Sequence, residues 1–316
     1  MINDVKTNVS PFHEGEQAVQ ARANVGEMSR TLGNAIKTQI PEGALNFIAQ
    51  QSIAAVGSID PRGQVWASIL FGKRGFLRAL DTQTLELDMR KTGLSADDPL
   101  WSNLKTNTQI GILLIDLGSR RRLRVNGNLH TSAGDNYRIS VKQAYPNCPK
   151  YIQRRHLIIT NRQTKKPINP TLHGTRLNTD QISLLENTDT FFVTSAHPNR
   201  GVDASHRGGQ PGFIQVLNNR LLRIPDYAGN NMFNTLGNFH SYPYAGLVII
   251  DHQANRLLQL TGTTETEWHL SDPNDDSSTK RHWTFEITAW QERTIPSDID
   301  WEFLDYSPHN PQRHNV

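Results

Sequence analysis

Polar side chains and small residues crowd together in the stretch Val202–Ile214: Asp203, Ser205, His206 and Arg207, then Gly208-Gly-Gln-Pro-Gly212. Side chains of an extended chain alternate, so Asp203, Ser205 and Arg207 fall on one face. The glycine-rich turn lets the backbone come close to a ligand. A second extended run, Leu221–Pro225, leads into Asp226-Tyr-Ala-Gly229-Asn230-Asn231, a loop rich in amide and backbone donors. A guanidinium, a hydroxyl and several N–H groups converging in this way can hold a phosphate. Taken alone, the same residues also suit an ordinary polar hairpin rim.

A second copy of the pattern separates these readings. Ser58 and Ser195, Ser68 and Ser205, and Phe76 and Phe213 each stand 137 residues apart. Gly111-Ile-Leu-Leu-Ile-Asp116 with Gly127 matches Gly246-Leu-Val-Ile-Ile-Asp251 with Gly262 at an offset of 135. Two anchor blocks at nearly one offset read as a tandem duplication with a short indel between them. The copies differ where chemistry is at stake. Ile69, Leu70 and Phe71 occupy the places of His206, Arg207 and Gly208, and the first copy has nothing like Gly-Asn-Asn. The second copy is therefore expected to hold the ligand.

The elements that must position these residues are mainly strands. Short apolar runs are expected as strands near Ile53–Ser58, Trp66–Phe71, Phe76–Leu80, Leu85–Asp88, Ile110–Asp116, Leu123–Leu129 and Thr284–Gln291. Helices are expected over Ala18–Ile40 (with Ser10-Pro11 as the start signal), Leu45–Gln51, Pro99–Thr106, Tyr137–Ala144, Pro149–Arg155, Gln181–Asn187 and Asn231–Asn238. Thr160–Pro167 reads as a polar linker and Asp305–Val316 as an irregular tail. The fold class is mainly β with helices (α+β), each copy a small antiparallel barrel. The division is residues 1–40 as a helical extension, 41–160 as the first barrel with helices after it, and 161–316 as the second barrel and tail.

Composition narrows the function. With 316 residues, a net charge of +3 and a pI near 9.0, the chain suits an anionic ligand but is too weakly basic to imply nucleic acid. Its densest basic run, Arg120-Arg-Arg-Leu-Arg124, splits across two strand faces, giving a solvated face and one arginine toward the site. No interleaved aromatic residues make it a stacking platform. The single cysteine, Cys148, forbids an intrachain disulfide and fits a reducing compartment. With neither a signal-peptide pattern nor a membrane-length apolar run, a soluble cytoplasmic protein is expected. His13 with Glu14 and Glu16 is read as surface polar contacts rather than a metal site, and no metal is expected.

The motifs Pro11-Phe-His-Glu-Gly-Glu16, Tyr145-Pro-Asn-Cys-Pro-Lys-Tyr-Ile152, Ala204-Ser-His-Arg-Gly-Gly209 and Ile224-Pro-Asp-Tyr-Ala-Gly-Asn-Asn231 resemble those of the pyridoxamine 5′-phosphate oxidase-related, FMN-binding split-barrel family, in its tandem-repeat branch. The resemblance runs over roughly residues 10–290. It implies two split barrels packed as an intrachain pseudo-dimer, with one FMN at their interface. The cofactor-binding residues it implies are Ser205, His206, Arg207, Asp226, Gly229, Asn230, Asn231 and Asn238, with Cys148 and Lys150 reaching over from the first half. Two departures count against oxidation of pyridoxamine phosphate itself: Asn230-Asn231 stands where an Arg-Lys pair is usual, and the carboxyl-terminal Arg-x-His motif is missing. An FMN-dependent oxidoreductase of unknown substrate is implied, its electrons coming from a nicotinamide or a separate reductase. A flavin-storage or electron-transfer module is the alternative. No catalytic acid or base is assigned, His206 and His240 being the only histidines singled out. A homodimer of whole chains is compatible with such a site without being needed for it.

Overall fold

A computed structural model describes residues 10–131, 136–159, 170–269, 277–295 and 298–311. The linker expected over 160–167 lies outside the described residues. In chain order the elements are α1 (Glu14–Arg22), α2 (Gly26–Gly33), α3 (Leu45–Gln50), β1 (Ile53–Ile59), β2 (Val65–Phe71), β3 (Leu77–Ala79), β4 (Thr84–Asp88), α4 (Pro99–Thr106), β5 (Gln109–Asp116), β6 (Arg121–Thr131) and β7 (Asn136–Pro146). There follow β8 (Arg154–Ile159), β9 (Leu172–Gly174), α5 (Thr179–Asn187), β10 (Thr190–His197), β11 (Gly201–Gly208), β12 (Gln215–Val216), β13 (Leu221–Pro225), α6 (Asn234–Ser241), β14 (Tyr244–Asp251), β15 (Arg256–Trp268), β16 (Arg281–Thr294) and β17 (Ile299–Asp305). The fold is mainly β, its sheets antiparallel.

One sheet runs β2-β1-β5-β6-β7-β4-β3, and the other β11-β10-β14-β15-β16-β13-β12, with β9 added on β16. Replacing each strand of the first by its counterpart reproduces the order of the second. Strand alternation divides each central strand between two cores. In β1, Ala54 and Val56 enter the first half's own core, while Ile53 and Ala55 face the other half. In β14, Leu247 and Ile249 enter the second core, while Val248 and Ile250 join the shared cluster. That is why these strands read as continuous apolar runs, and why the halves meet over a dry surface that includes Ile69, Leu113, Phe192 and Leu257. Two glycines set the approach. A Cβ on Gly111 would stand 2.2 Å from the Val202 carbonyl oxygen, and one on Gly246 would stand 2.6 Å from the Ala67 nitrogen.

The structure corrects several expectations. Tyr137–Ala144 is strand β7, paired with β4 and β6, because Ile139 and Val141 alternate into the first core. Pro149–Arg155 holds no helix: Tyr151 has φ 66°, a left-handed turn, and β8 starts at Arg154. The expected helices directly after the first barrel are thus missing: none lies between β7 and β8. The amino-terminal helix is two helices, broken at Asn24 (φ 56°), and it starts at His13 rather than at Ser10-Pro11. β17 pairs with β8 and ends at Asp305, and the described tail residues after it form no helix or strand, as expected. No helix among the described residues is long and apolar enough to cross a membrane.

Candidate functional site

A cleft of about 890 Å³, counting space open to solvent, lies where β11 meets β6 and the segment after β7. Its walls come from both halves. The second half supplies Ser205, His206, Arg207, Asp226, Gly229, Asn230 and Asn231; the first supplies Arg122, Arg124, Asn147, Cys148 and Lys150. Nine of the ten residues singled out from sequence line it. The tenth, Asn238, does not. Its amide donates to Ser195 Oγ at 2.9 Å and to Asp203 Oδ2 at 2.7 Å, and its oxygen accepts from His13 Nε2 at 3.0 Å. Asn103 makes the same bond to Ser58 Oγ, also at 2.9 Å, in the first half. A contact repeated in both halves is scaffolding.

Charge dominates the cleft. Arg124 pairs with Asp203 at 3.2 Å and donates to the Ala204 carbonyl, Ser205 Oγ and Tyr145 Oη. Burial works against its charge, yet Tyr145 and Asp203 hold its pKa above the ordinary value. Arg122 donates Nε to the Cys148 carbonyl at 2.8 Å. Neither Arg122 nor Arg207 has a carboxylate within ion-pair distance among the described residues. Burial, with Arg207 and Arg124 beside it, pulls the Arg122 pKa down to about 9. Burial also lowers that of Arg207. The acid in the wall, Asp226, is already paired with Arg281 at 3.1 Å. A shortage of negative charge follows, and a bound anion would relieve it.

Sequence reasoning allowed one site-facing arginine from Arg120–Arg124, and the structure brings two. Alternation puts Arg120, Arg122 and Arg124 on one face, but Arg120 turns to the Ile152 carbonyl and Asp305. The side chains of Asn230 and Asn231 are less available than the loop composition suggested. Asn230 Oδ1 accepts from the Met232 N–H, and Asn231 Nδ2 lies 2.9 Å from Met28 Sδ. His206 meets the cleft through its carbonyl, which accepts from Arg207 at 3.2 Å. Its ring turns the other way, edge-on to Phe192 at 5.7 Å, with both ring nitrogens buried and unpartnered. Burial and then Arg122, Arg207 and Arg155 hold its pKa well below the usual value, so it is neutral. His240 lies outside the cleft. Lys150 is half-buried on a turn, and Tyr151 next to it donates to the Ala228 carbonyl at 2.9 Å, tying this segment to the Asp226–Asn231 loop.

Of the residues read as surface contacts near the amino terminus, Glu14 is exposed, whereas His13 and Glu16 are buried. His13 caps α1 and Glu16 completes the capping box. His13, Glu14 and His197 gather three ligand-type atoms within 4.8 Å. Nδ1 of each ring accepts a backbone N–H, so each Nε2 keeps its proton, for Asn238 and for Glu14. That protonation suits a hydrogen-bonded cap, not a metal.

No protein-family profile matches the chain, and no curated protein matches it. Among solved structures, a Lactobacillus delbrueckii protein assigned as a pyridoxamine 5′-phosphate oxidase is 14% identical, with 38% of this chain and 97% of that chain covered at a TM-score of 0.31. A Group A Streptococcus HupZ structure is 20% identical over 34% of this chain and 98% of that one, at 0.27. The K. pneumonia MrkH–c-di-GMP complex is 12% identical over 83% and 87%, at 0.21. At those scores no activity is carried across from any of them.

Proposed function

We propose that the cleft binds FMN, one per chain, and that the protein is a flavin-dependent oxidoreductase built as two split barrels packed as a pseudo-dimer. The observation that carries this reading is the group of unneutralised cations, Arg122, Arg207 and Lys150, around one cleft walled by both halves. A phosphate dianion matches that deficit, and guanidinium groups are well shaped to take it. Ser205 Oγ and Thr235 Oγ1, 3.2 Å apart, add hydroxyls beside Arg124. The aromatic walls Tyr227, Phe213 and Phe233 offer an apolar lining for a ring system. Bound flavin would supply the electron chemistry, while this chain binds it, orients it and shields it from water. A single anion cradle favours FMN over a dinucleotide.

A flavin carrier is the second reading, and one observation favours it. The histidine of the cleft wall turns its ring into the apolar interface, so no imidazole is presented to a bound substrate.

Titration of the apoprotein with FMN, followed by flavin fluorescence, tests the binding. Arg207→Ala is expected to weaken FMN binding by ~1.5–3 kcal/mol, one to two decades, as loss of a charge-assisted contact does. Leu70→Ala, at the matched position of the first half, should lower stability and leave affinity unchanged. A wild-type chain that takes up no FMN, or equal effects of the two substitutions on affinity, would refute the site. Reduction of the bound flavin by NADH or NADPH then separates enzyme from carrier.

A further inference from the structure

The loop that closes the cleft is held from outside its own sheet. Between β13 and α6 the chain passes through two left-handed residues that are not glycine, Asn231 (φ 56°) and Phe233 (φ 60°). Such conformations are costly and persist only where the surroundings enforce them. Phe233 is also the residue before α6, and no side chain caps that helix. Three side chains of the amino-terminal helices supply what is missing. Ser29 Oγ lies 2.8 Å from the Asn231 carbonyl oxygen, Gln20 Nε2 donates to the Met232 carbonyl at 3.0 Å, and Glu16 accepts from Asn234 Nδ2. Phe12 packs on Met232. Glu16, Gln20 and Ser29 are all buried, and each contact spans more than 200 residues of sequence. Asn231, Phe233 and Asn234 line the cleft themselves.

We propose that α1 and α2 form a clamp that holds the Asn231–Asn234 backbone in its ligand-ready shape, with Glu16, Gln20 and Ser29 as positioning residues for the anionic cofactor. This rests on the flavin reading and extends it to residues that touch no ligand. Phe233 also packs on the second core under Arg281, and its carbonyl accepts from the Gly237 N–H at 2.7 Å, so the clamp's own part is to take the Asn231 and Met232 carbonyls.

The test compares wild type with Gln20→Leu/Ser29→Ala by hydrogen exchange and by FMN release. Leu70→Ala, brought to the same loss of melting temperature, is the control for general destabilisation. Exchange of the amides of 230–236 should quicken about tenfold or more in the double variant, with β10 and β11 unchanged. FMN should leave about tenfold to a hundredfold faster. Ser29→Thr, which keeps the hydroxyl, should match wild type, and Leu70→Ala should change neither readout. Unchanged loop exchange overturns the clamp, as does faster exchange with FMN release unaltered. Should the double variant not fold, Ser29→Ala alone removes one contact without added bulk and is read the same way. If wild type takes up no FMN, the flavin reading falls, and the exchange measurement alone decides whether the clamp holds the loop.

Discussion

Two places in the molecule are built from matched residues and end in opposite states. In the open cleft Arg124 donates to the Ala204 carbonyl and to Ser205 Oγ. At the counterpart, Gln259 donates to the Ala67 carbonyl at 2.7 Å and to Ser68 Oγ at 3.3 Å. The donors stand 135 residues apart and the acceptors 137. The bonds that join the halves are therefore repeated, and the charges are not. Leu257 replaces Arg122 and Leu70 replaces Arg207. The space at the counterpart is taken by Asp98, which accepts from Arg293, Ser68 Oγ and the Leu100 N–H, at 2.5, 2.5 and 3.0 Å. The closed place satisfies its charge internally. The open one leaves cations to be met from outside, and that difference is what marks it as a ligand site.

The sharpest way to break the comparison is to write the closed residues into the open place. Arg122→Leu/Arg124→Gln should lower FMN affinity by ~3–6 kcal/mol, or 10²–10⁴-fold, since two charge-assisted contacts go at once. Circular dichroism should show the fold retained, because Gln259 already spans the equivalent gap. Binding within tenfold of wild type would show that the first half contributes nothing to the cradle.

The converse change probes the closed place. Arg293→Met leaves the Asp98 carboxylate buried without its cation, since the two side chains are 4 % and 0 % exposed. Breaking a buried pair from one side costs about 3–5 kcal/mol, and thermal unfolding should fall by roughly 10 °C. FMN affinity should not change. Adding Asp98→Asn should recover part of the loss, because asparagine still caps α4 and carries no charge. A fall in flavin affinity with Arg293→Met would mean that the two places are coupled.

The strands of both sheets were legible because alternation is local: Ile110–Ile115 and Leu247–Ile250 announce strands buried on both faces. So was α4, through Asp98-Pro99 at its start. β7 was misread as helix because its outward residues, Arg138, Ser140 and Lys142, mask an inward alternation that its pairing with β4 makes plain. The open cleft was legible where it lies within one stretch, as in Ser205 and Arg207. Of its other cations, Lys150 and one arginine of Arg120–Arg124 were expected, but that both Arg122 and Arg124 enter was not legible, for no local pattern shows that β6 of one half crosses β11 of the other. His206 lines the cleft as expected, but alternation from Ser205 turns its ring toward Phe192. Glu16 and His13 were placed on the surface because their burial depends on α6, more than 200 residues later.

Glu16 gives the mildest test and extends the comparison to buried acids. Asp98 has a guanidinium; Glu16 has Asn234 and the His13 N–H as donors, with His13 Nε2 at 3.4 Å and Asp203 and Arg124 as its charged neighbours. Burial, then the Asp203 charge, push its pKa up to about 8. The unfolded chain releases that proton near pH 4.5 while the folded chain keeps it, so Glu16 supports folding fully below pH 4.5 and loses that contribution as pH rises toward 8. His13, held down at about 4 by burial and His197, titrates in the folded state well below this range. Its unfolded-state proton is mostly gone by pH 7, which leaves the upper window to Glu16. Glu16→Gln removes the titration and keeps the contacts, since the Asn234 amide can turn its oxygen to a new donor. Between pH 6.5 and 8 the stability advantage of the variant over wild type should therefore grow by ~2 kcal/mol, measured by urea unfolding at each pH. Parallel stability curves for the two proteins across that window would show that Glu16 is already ionised in the folded chain.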